Sequence, residues 1–435
     1  MFIHPAPLAP IVSALRSGEL DLQRYIDETC DRIDALEPQL QALLPEPDRR
    51  QRLHNEATAL QQQWPEPGNR PPLYGVLTGI KDVFRVDGFP THAGSQLPPE
   101  LFTGPEATCV TRLRNAGVLI LGKTVTTEFA WAEPGPTRNP HHLEHTPGGS
   151  SSGSAAAVAA GFCSLALGTQ TIGSTIRPAS FCGIVGFKPS YGRIPTDGLI
   201  LFSKSVDTVG IFTQDVEGME LVASLLCDNW QIVPRPERLP VLGVPEGPYL
   251  EQATPEGQAI FQQQLAQLEK AGYTIKRVRM FEDIETINRQ HTRMAFAELA
   301  QVHADWFAQY EALYRPKTVA AIREGQSISQ GELESSRAGR LQLRTKLEAA
   351  MDESGIDLWV SPAAPGPAPK GLSATGSTLL NLPWTYAGMP AISLPMERAE
   401  NGLPMGLQVV GKYMGDELLL AWAKTFSIEW KAQEE

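Results

Sequence analysis

The sequence predicts an α/β protein: one large domain in which helices cover a central mixed β-sheet. Three observations lead there. First, 435 residues with 42% apolar and 20% charged side chains can bury a large core, and such a composition argues against disorder. Second, between Leu73 and about Leu226, short apolar runs such as Val118–Leu121 and Ser164–Leu167 alternate with helical patterns and glycine-rich turns, the texture of a mostly parallel or mixed sheet. Third, the chain has no internal repeat and no linker. Its densest proline run, Pro362–Pro369, directly follows a predicted strand and reads as a rigid loop.

Taken in order, residues 1–72 hold N-terminal helices and a connection. Leu22, Tyr25, Ile26, Cys30, Ile33 and Leu36 recur at helical spacing, which predicts one amphipathic helix over 13–36, stopped before Pro38. Residues 44–72, rich in proline, read as a surface connection. Residues 73–226 form the core that carries the motifs discussed below. Residues 240–352 form a helix-rich region, read as an insertion or lid. Thr254-Pro255-Glu256 opens a helix, Ile260, Phe261, Leu265 and Leu268 give it a face, and Gly272 ends it before a strand over Tyr273–Val278. Further helices are predicted near 286–313 and 330–352. Residues 356–425 return to strands (Leu358–Val360, Ala391–Leu394, Gly406–Val410) and a closing helix from Asp416.

Charge and cysteine usage narrow the function. With 37 Lys and Arg against 49 Asp and Glu, the net charge is −12; a sequence-independent nucleic-acid binder needs the opposite sign, so no nucleic-acid partner is expected. No membrane partner is expected either, because the longest small-residue apolar stretch, Ser154–Thr169, is interrupted by Gly161 and Gly168. The N-terminus lacks a basic segment followed by an apolar one. Five scattered cysteines, none in a Cys-x-x-Cys pair, support neither a zinc cage nor a disulfide framework. A reducing cytoplasm is the expected location.

Three motifs match familiar patterns without their physics. Gly117–Thr124 fits the phosphate-loop spacing, but the gap between its glycines is the apolar run Val118–Leu121, a buried strand and not a backbone-exposing turn. Gly149-Ser150-Ser151-Ser152-Gly153 fits a nucleophile elbow, yet no strand precedes it, and only His291 and His303 follow, both in a predicted helix. His141, His142 and His145 lie between Pro140 and Pro147, which prevents secure helical presentation of a metal site. They read as a solvated loop, and no metal or organic cofactor is implied.

Three other segments carry chemistry together: Gly79-Ile80-Lys81-Asp82; Pro147–Ser154 followed by the alanine-rich Ala155–Gly161; and Gly168–Ser174, running on to Phe181–Pro189. A serine hydroxyl needs a base to become nucleophilic, and no suitable histidine is at hand. A lysine serves only when neutral, which takes a fall in pKa from about 10.4 to near neutrality through burial and local hydrogen bonds. Lys81 follows the apolar run Val76–Ile80, consistent with a strand end on a buried floor. A serine, both donor and acceptor, can pass a proton between such a lysine and a second serine. Gly173, beside Ser174, leaves room for several N–H groups to converge on one oxygen.

These segments closely resemble the amidase signature family, in which a Gly-Gly-Ser-Ser loop and an alanine-rich helix precede a Gly-Ser turn 24 residues after the first loop serine, as Ser174 follows Ser150. Gly122–Ala130, Ser205–Gly210 and Gly402–Gln408 match further family segments, so the resemblance covers nearly the whole chain. It implies a mixed sheet covered on both faces by helices. It implies Ser174 as nucleophile, Ser150 as bridging serine on a cis peptide after Gly149, Lys81 as ultimate base, and the amides of Thr171, Ile172, Gly173 and Ser174 as oxyanion hole. The chain departs from the commonest pattern at Gln170, where an acid is frequent, and at Ile172, where a glycine is. Arg177, three residues after Ser174, holds either a substrate carboxylate or a structural ion pair. The expected function is hydrolysis of a small carboxamide to carboxylate and ammonia, by a monomer or homo-oligomer. The alternatives are the amidase subunit of a glutamine-dependent tRNA amidotransferase, or a catalytically silent binding protein on the same fold. Trp306, Phe307, Tyr310 and Tyr314 read as a helix's core stripe in preference to a substrate pocket.

Overall fold

The computed structural model describes residues 2–434, with side chains described through Phe426. Among them, ten strands form one mixed sheet. In chain order these are β1 (Leu77–Lys81), β2 (Leu119–Thr124), β3 (Leu165–Gln170), β4 (Val185–Lys188), β5 (Thr208–Thr213), β6 (Leu242–Glu246), β7 (Ile275–Arg279), β8 (Leu358–Pro362), β9 (Ala391–Arg398) and β10 (Pro404–Val410). They lie in the order β2-β1-β3-β5-β4-β9-β10-β8-β6-β7. The two ends of the sheet are parallel, β2-β1-β3 and β8-β6-β7, and the pairings between them, from β3 to β8, are antiparallel. Every residue of β1 to β5 is buried, so helices cover both faces, as the run-like strand sequences require. The edge strand β7 is half in solvent.

Three expectations needed correction. The predicted helix over 13–36 is two helices, Leu8–Ser17 and Leu22–Leu40. Gly18 breaks it at φ 84, and the Asp21 carboxylate starts the second helix by accepting from the Arg24 amide. Pro38 lies inside the last turn instead of beyond the stop. The proline-rich connection contains a helix, Arg49–Gln63, because its prolines flank that stretch without entering it. The helix buries a short apolar stripe, Leu53 and Ala57 with half-buried Leu60 beside them, and polar contacts to Leu22–Leu40 add to it: Arg50 to Asp31 at 2.7 Å and His54 to Asp27 at 2.9 Å. The helix-rich middle is also not simply an insertion. Its first part supplies β6 and β7, which extend the central sheet, and only Ile284–Ser354 is wholly helical. A helix there, Pro316–Gln326, was not anticipated from periodicity.

Elsewhere sequence and structure agree. Thr254 caps Pro255–Lys270 through its hydroxyl, Gly272 ends that segment at φ 93, and the final helix starts at Asp416. Phe307 and Tyr314 are core residues, Tyr314 packing on Phe129, His303 and Phe307, while Trp306 and Tyr310 pack half-buried against the same core. No helix among the described residues is long and apolar enough to cross a membrane.

Candidate active site

The three chemistry-bearing segments meet where β1 and β3 run side by side. Lys81 is the last residue of β1, and the register that sets Ile80 opposite Leu167 carries the lysine alongside the end of β3. The serine loop then packs over the same strand. Ser151 Oγ donates to the Thr169 carbonyl at 3.2 Å and Ser154 Oγ to that of Leu167 at 2.8 Å. The helix that follows, Ser152–Ala159, is entirely buried, and its small side chains let it lie close. A Cβ at Gly153 would come within 2.2 Å of the Ala42 carbonyl oxygen.

Lys81 Nζ donates to Ser150 Oγ and to Thr169 Oγ1, both at 2.7 Å. Lys81 is wholly buried, and Ser150 and Ser174 are 2% and 7% exposed. Burial pushes the Lys81 ammonium down to about 7, outweighing the opposing attraction of the Asp207 carboxylate. The Gly149–Ser150 peptide is cis. Ser150, Ser174, Thr171, Ile172 and Arg177 line one cavity of about 150 Å³. Lys81 is not part of that lining and reaches it through Ser150.

The turn bearing Ser174 is braced from three sides. Gln170 Oε1 accepts from the amides of Thr175 at 2.8 Å and Ile176 at 3.0 Å, while its Nε2 donates to Thr385 Oγ1 at 2.9 Å. An amide fills the place of an acid there because one end must accept and the other donate. Thr385 Oγ1 in turn donates to the Ile172 carbonyl at 2.6 Å. Thr171 Oγ1 donates to Asp207 Oδ1 at 2.5 Å, and Asp207 Oδ2 accepts from the Phe202 and Ser203 amides. Burial raises the Asp207 carboxyl to about 6 despite these bonds and despite Lys81. The amides of Thr171, Ile172, Gly173 and Ser174 meet no acceptor among the described residues, whereas Thr175, Ile176 and Arg177 amides are all engaged.

Gly173 is fixed by a neighbour that sequence could not name. A Cβ there would come within 2.3 Å of Asn381 Oδ1. Asn381 cannot swing away, because its Nδ2 donates to Ala363 O at 2.9 Å and Gln408 Oε1 at 3.0 Å. Gly173→Ala should therefore displace the turn, lowering kcat by roughly 100-fold and stability by about 1–3 kcal/mol. Steady-state kinetics and thermal unfolding check both parts.

Arg177 is 2% exposed and makes no ion pair with any described residue. Nη1 donates to Gly376 O at 2.8 Å, and Nη2 to Gly149 O at 2.5 Å and Thr375 Oγ1 at 3.1 Å. Its Nε has no partner. Burial alone lowers its value to about 9.

The motifs set aside on sequence grounds are occupied by structure. Lys123 of the phosphate-loop look-alike pairs with Asp82 at 2.7 Å inside the core. His141 Nε2 and His145 Nδ1 lie 2.9 and 2.8 Å from the carbonyl oxygens of Cys182 and Ala368. Thr169, Asp207, Asn381 and Thr385 were missed as site residues. Thr169 and Asp207 stand inside segments already singled out, but Asn381 and Thr385 arrive from far along the chain and carry no local signal.

Comparison with known proteins agrees with this geometry. A family model described as Amidase matches residues 24–420. A glutamyl-tRNA(Gln) amidotransferase subunit from Synechococcus sp. (strain WH7803) is 32% identical, over 95% of this chain and 94% of that protein. The crystal structure of an amidase superposes with a TM-score of 0.87 at 32% identity, covering 98% of this chain and all of the other. A peptide amidase from Stenotrophomonas maltophilia superposes with a TM-score of 0.81 at 25% identity, covering 98% of this chain and 97% of the other. The chain belongs to the amidase family, a family of amide-cleaving enzymes.

Proposed function

We propose that this enzyme hydrolyses a small primary carboxamide, R–CO–NH2, through an acyl-enzyme on Ser174, and that R carries a carboxylate that pairs with Arg177. The observation that carries the reading is the 2.7 Å bond between a buried Lys81 and Ser150, which shares its cavity with Ser174. With Lys81 neutral, the Ser174 hydroxyl proton passes to Ser150 as Ser150 hands its own to Lys81 Nζ. Ser174 Oγ bonds to the carbonyl carbon, and the carbonyl electron pair moves onto oxygen, where the free amides of Thr171 to Ser174 receive it. Collapse breaks the C–N bond, the proton returns through Ser150 to nitrogen, and ammonia leaves. Water then attacks the acyl carbon and gives a proton to the same relay; the Ser174 Oγ–C bond breaks, the relay returns that proton to Ser174 Oγ, and the acid leaves as its carboxylate, losing its remaining proton to solvent.

Two features support an acidic substrate. Arg177 is a buried cation without a counter-ion, so an incoming carboxylate would meet an uncompensated charge with an idle Nε. The cavity of about 150 Å³ is of the size that holds a benzene-sized ligand, which fits a short dicarboxylic half-amide better than a peptide. A screen of ammonia release across aliphatic, aryl, ureido and dicarboxylic half-amides tests this. The half-amides should be preferred, and Arg177→Met should raise their KM about 10- to 100-fold while changing neutral amides little. An equal effect on both classes would reduce Arg177 to a structural role.

A second reading, a component of a tRNA-dependent amidotransferase, is favoured by the 32% identity to such a protein from Synechococcus. Copurification of a companion chain, with no ammonia release by this chain alone, would establish it. Turnover of simple amides by the chain alone would oppose it.

A further inference from the structure

One wall of the cavity is an aromatic side chain held from behind. Trp131 lines the cavity, and its indole packs on two further rings. It lies tilted on Phe202 at 5.4 Å and edge-on to Phe296, on helix Ile284–Val302, at 4.9 Å. The residues leading to it, Phe129 and Ala130, are left-handed at φ 46 and φ 60, conformations that cost a non-glycine residue energy and persist only where the surroundings impose them. Here the imposition is visible. The Phe129 amide donates to Ala93 O at 2.8 Å. The wholly buried Glu128 carboxylate accepts from the Arg315 amide at 3.1 Å and from the Thr318 hydroxyl. Both of those partners belong to the start of helix Pro316–Gln326. The all-helical part of the middle region thus grips the loop from behind and also packs against the indole.

We infer that Trp131 is a specificity-determining residue, a fixed wall that limits the bulk of the group attached to the reacting carbonyl, held in place by the helices at 284–326. The inference rests on the proposed nucleophile, Ser174, but not on Arg177 or on the nature of the natural amide. A side chain locked by two neighbouring rings cannot swing aside at low cost for a bulky group. Truncating it, in contrast, opens the cavity toward Phe296, while Phe202 already lines it.

The test uses the full-length chain and a series of fluorophosphonates whose substituent grows from methyl to benzyl to a long alkyl chain, with adduct formation at Ser174 read by intact mass. The native protein should react with the smallest at least about 10-fold faster than with the bulky members, in line with the discrimination that one or more surplus carbon groups produce in an apolar pocket. Trp131→Ala should shift that ratio by about 10- to 100-fold toward the bulky members. Phe296→Leu, which loosens the indole without bordering the cavity, should shift it in the same direction by less and serves should the first variant fold poorly. Labelling at Ser174 that is indifferent to bulk, or a ratio that both variants leave unchanged, overturns the assignment of Trp131 alone. Labelling by no member of the series overturns the nucleophile, and this inference with it.

Discussion

Ser174→Ala is expected to leave no measurable amide turnover, a loss of at least about 10⁴-fold, because removing a nucleophile removes the covalent route itself. Little else should change. Ser174 is small, lines a cavity and makes no side-chain hydrogen bond among the described residues, so its hydroxyl is not part of the bracing that Gln170, Thr385 and Asp207 give to the turn. The variant should melt within a degree or two of the native protein and should still bind the substrate. A fluorophosphonate should add one adduct to the native chain and none to the variant. Residual turnover at more than about a hundredth of the native rate would remove Ser174 from the mechanism.

Lys81→Met is expected to lower kcat by about 10³-fold or more, the scale on which a positioned base contributes. Like the first variant, it should not cost stability. Because burial holds the native Lys81 near 7 while an unfolded chain returns it to about 10.4, unfolding takes up a proton between those two values. The unfolded state binds more protons in that window, so native stability rises with pH from about 7 to about 10 and is lowest below 7. At neutral pH the buried amine therefore opposes folding by an amount on the order of a few kcal/mol, offset in part by its bonds to Ser150 and Thr169. Thermal unfolding at pH 7 and pH 9 should show the native protein gaining more than the methionine variant. The same value governs activity: kcat/KM of the native enzyme should fall about tenfold per pH unit below 7, as Lys81 becomes an ammonium that cannot accept the relayed proton. A rate that stays flat from pH 7 to pH 5 would show that some other group is the base.

Asp207 bears on both variants without touching the reacting atoms. Its carboxylate holds the Thr171 hydroxyl and the Phe202 and Ser203 amides, and it draws the Lys81 value upward against burial. It positions the turn and keeps the base from being too weak.

By itself, the chain's order of residues determined the fold class, most of the strands and the groups proposed to react. Short apolar runs must be buried, and the runs Val118–Leu121 and Ser164–Leu167 duly fall in or beside β2 and β3. Lys81, Ser150 and Ser174 carry chemistry whose requirements can be stated before any coordinates exist. What only the tertiary structure decided are the relations between distant segments. Helix Arg49–Gln63 stayed hidden because its buried stripe is short, Leu53 and Ala57 with Leu60 beside them, in a polar stretch flanked by prolines. The middle region looked like an addition because strand pairing of β6 with β8 is not written in either strand. That Arg177 faces carbonyls and one hydroxyl among the described residues is likewise a product of packing. Asn381 and Thr385 brace Gly173 and Ile172 across more than 200 positions, and contact over such a separation follows from packing, which no local pattern encodes.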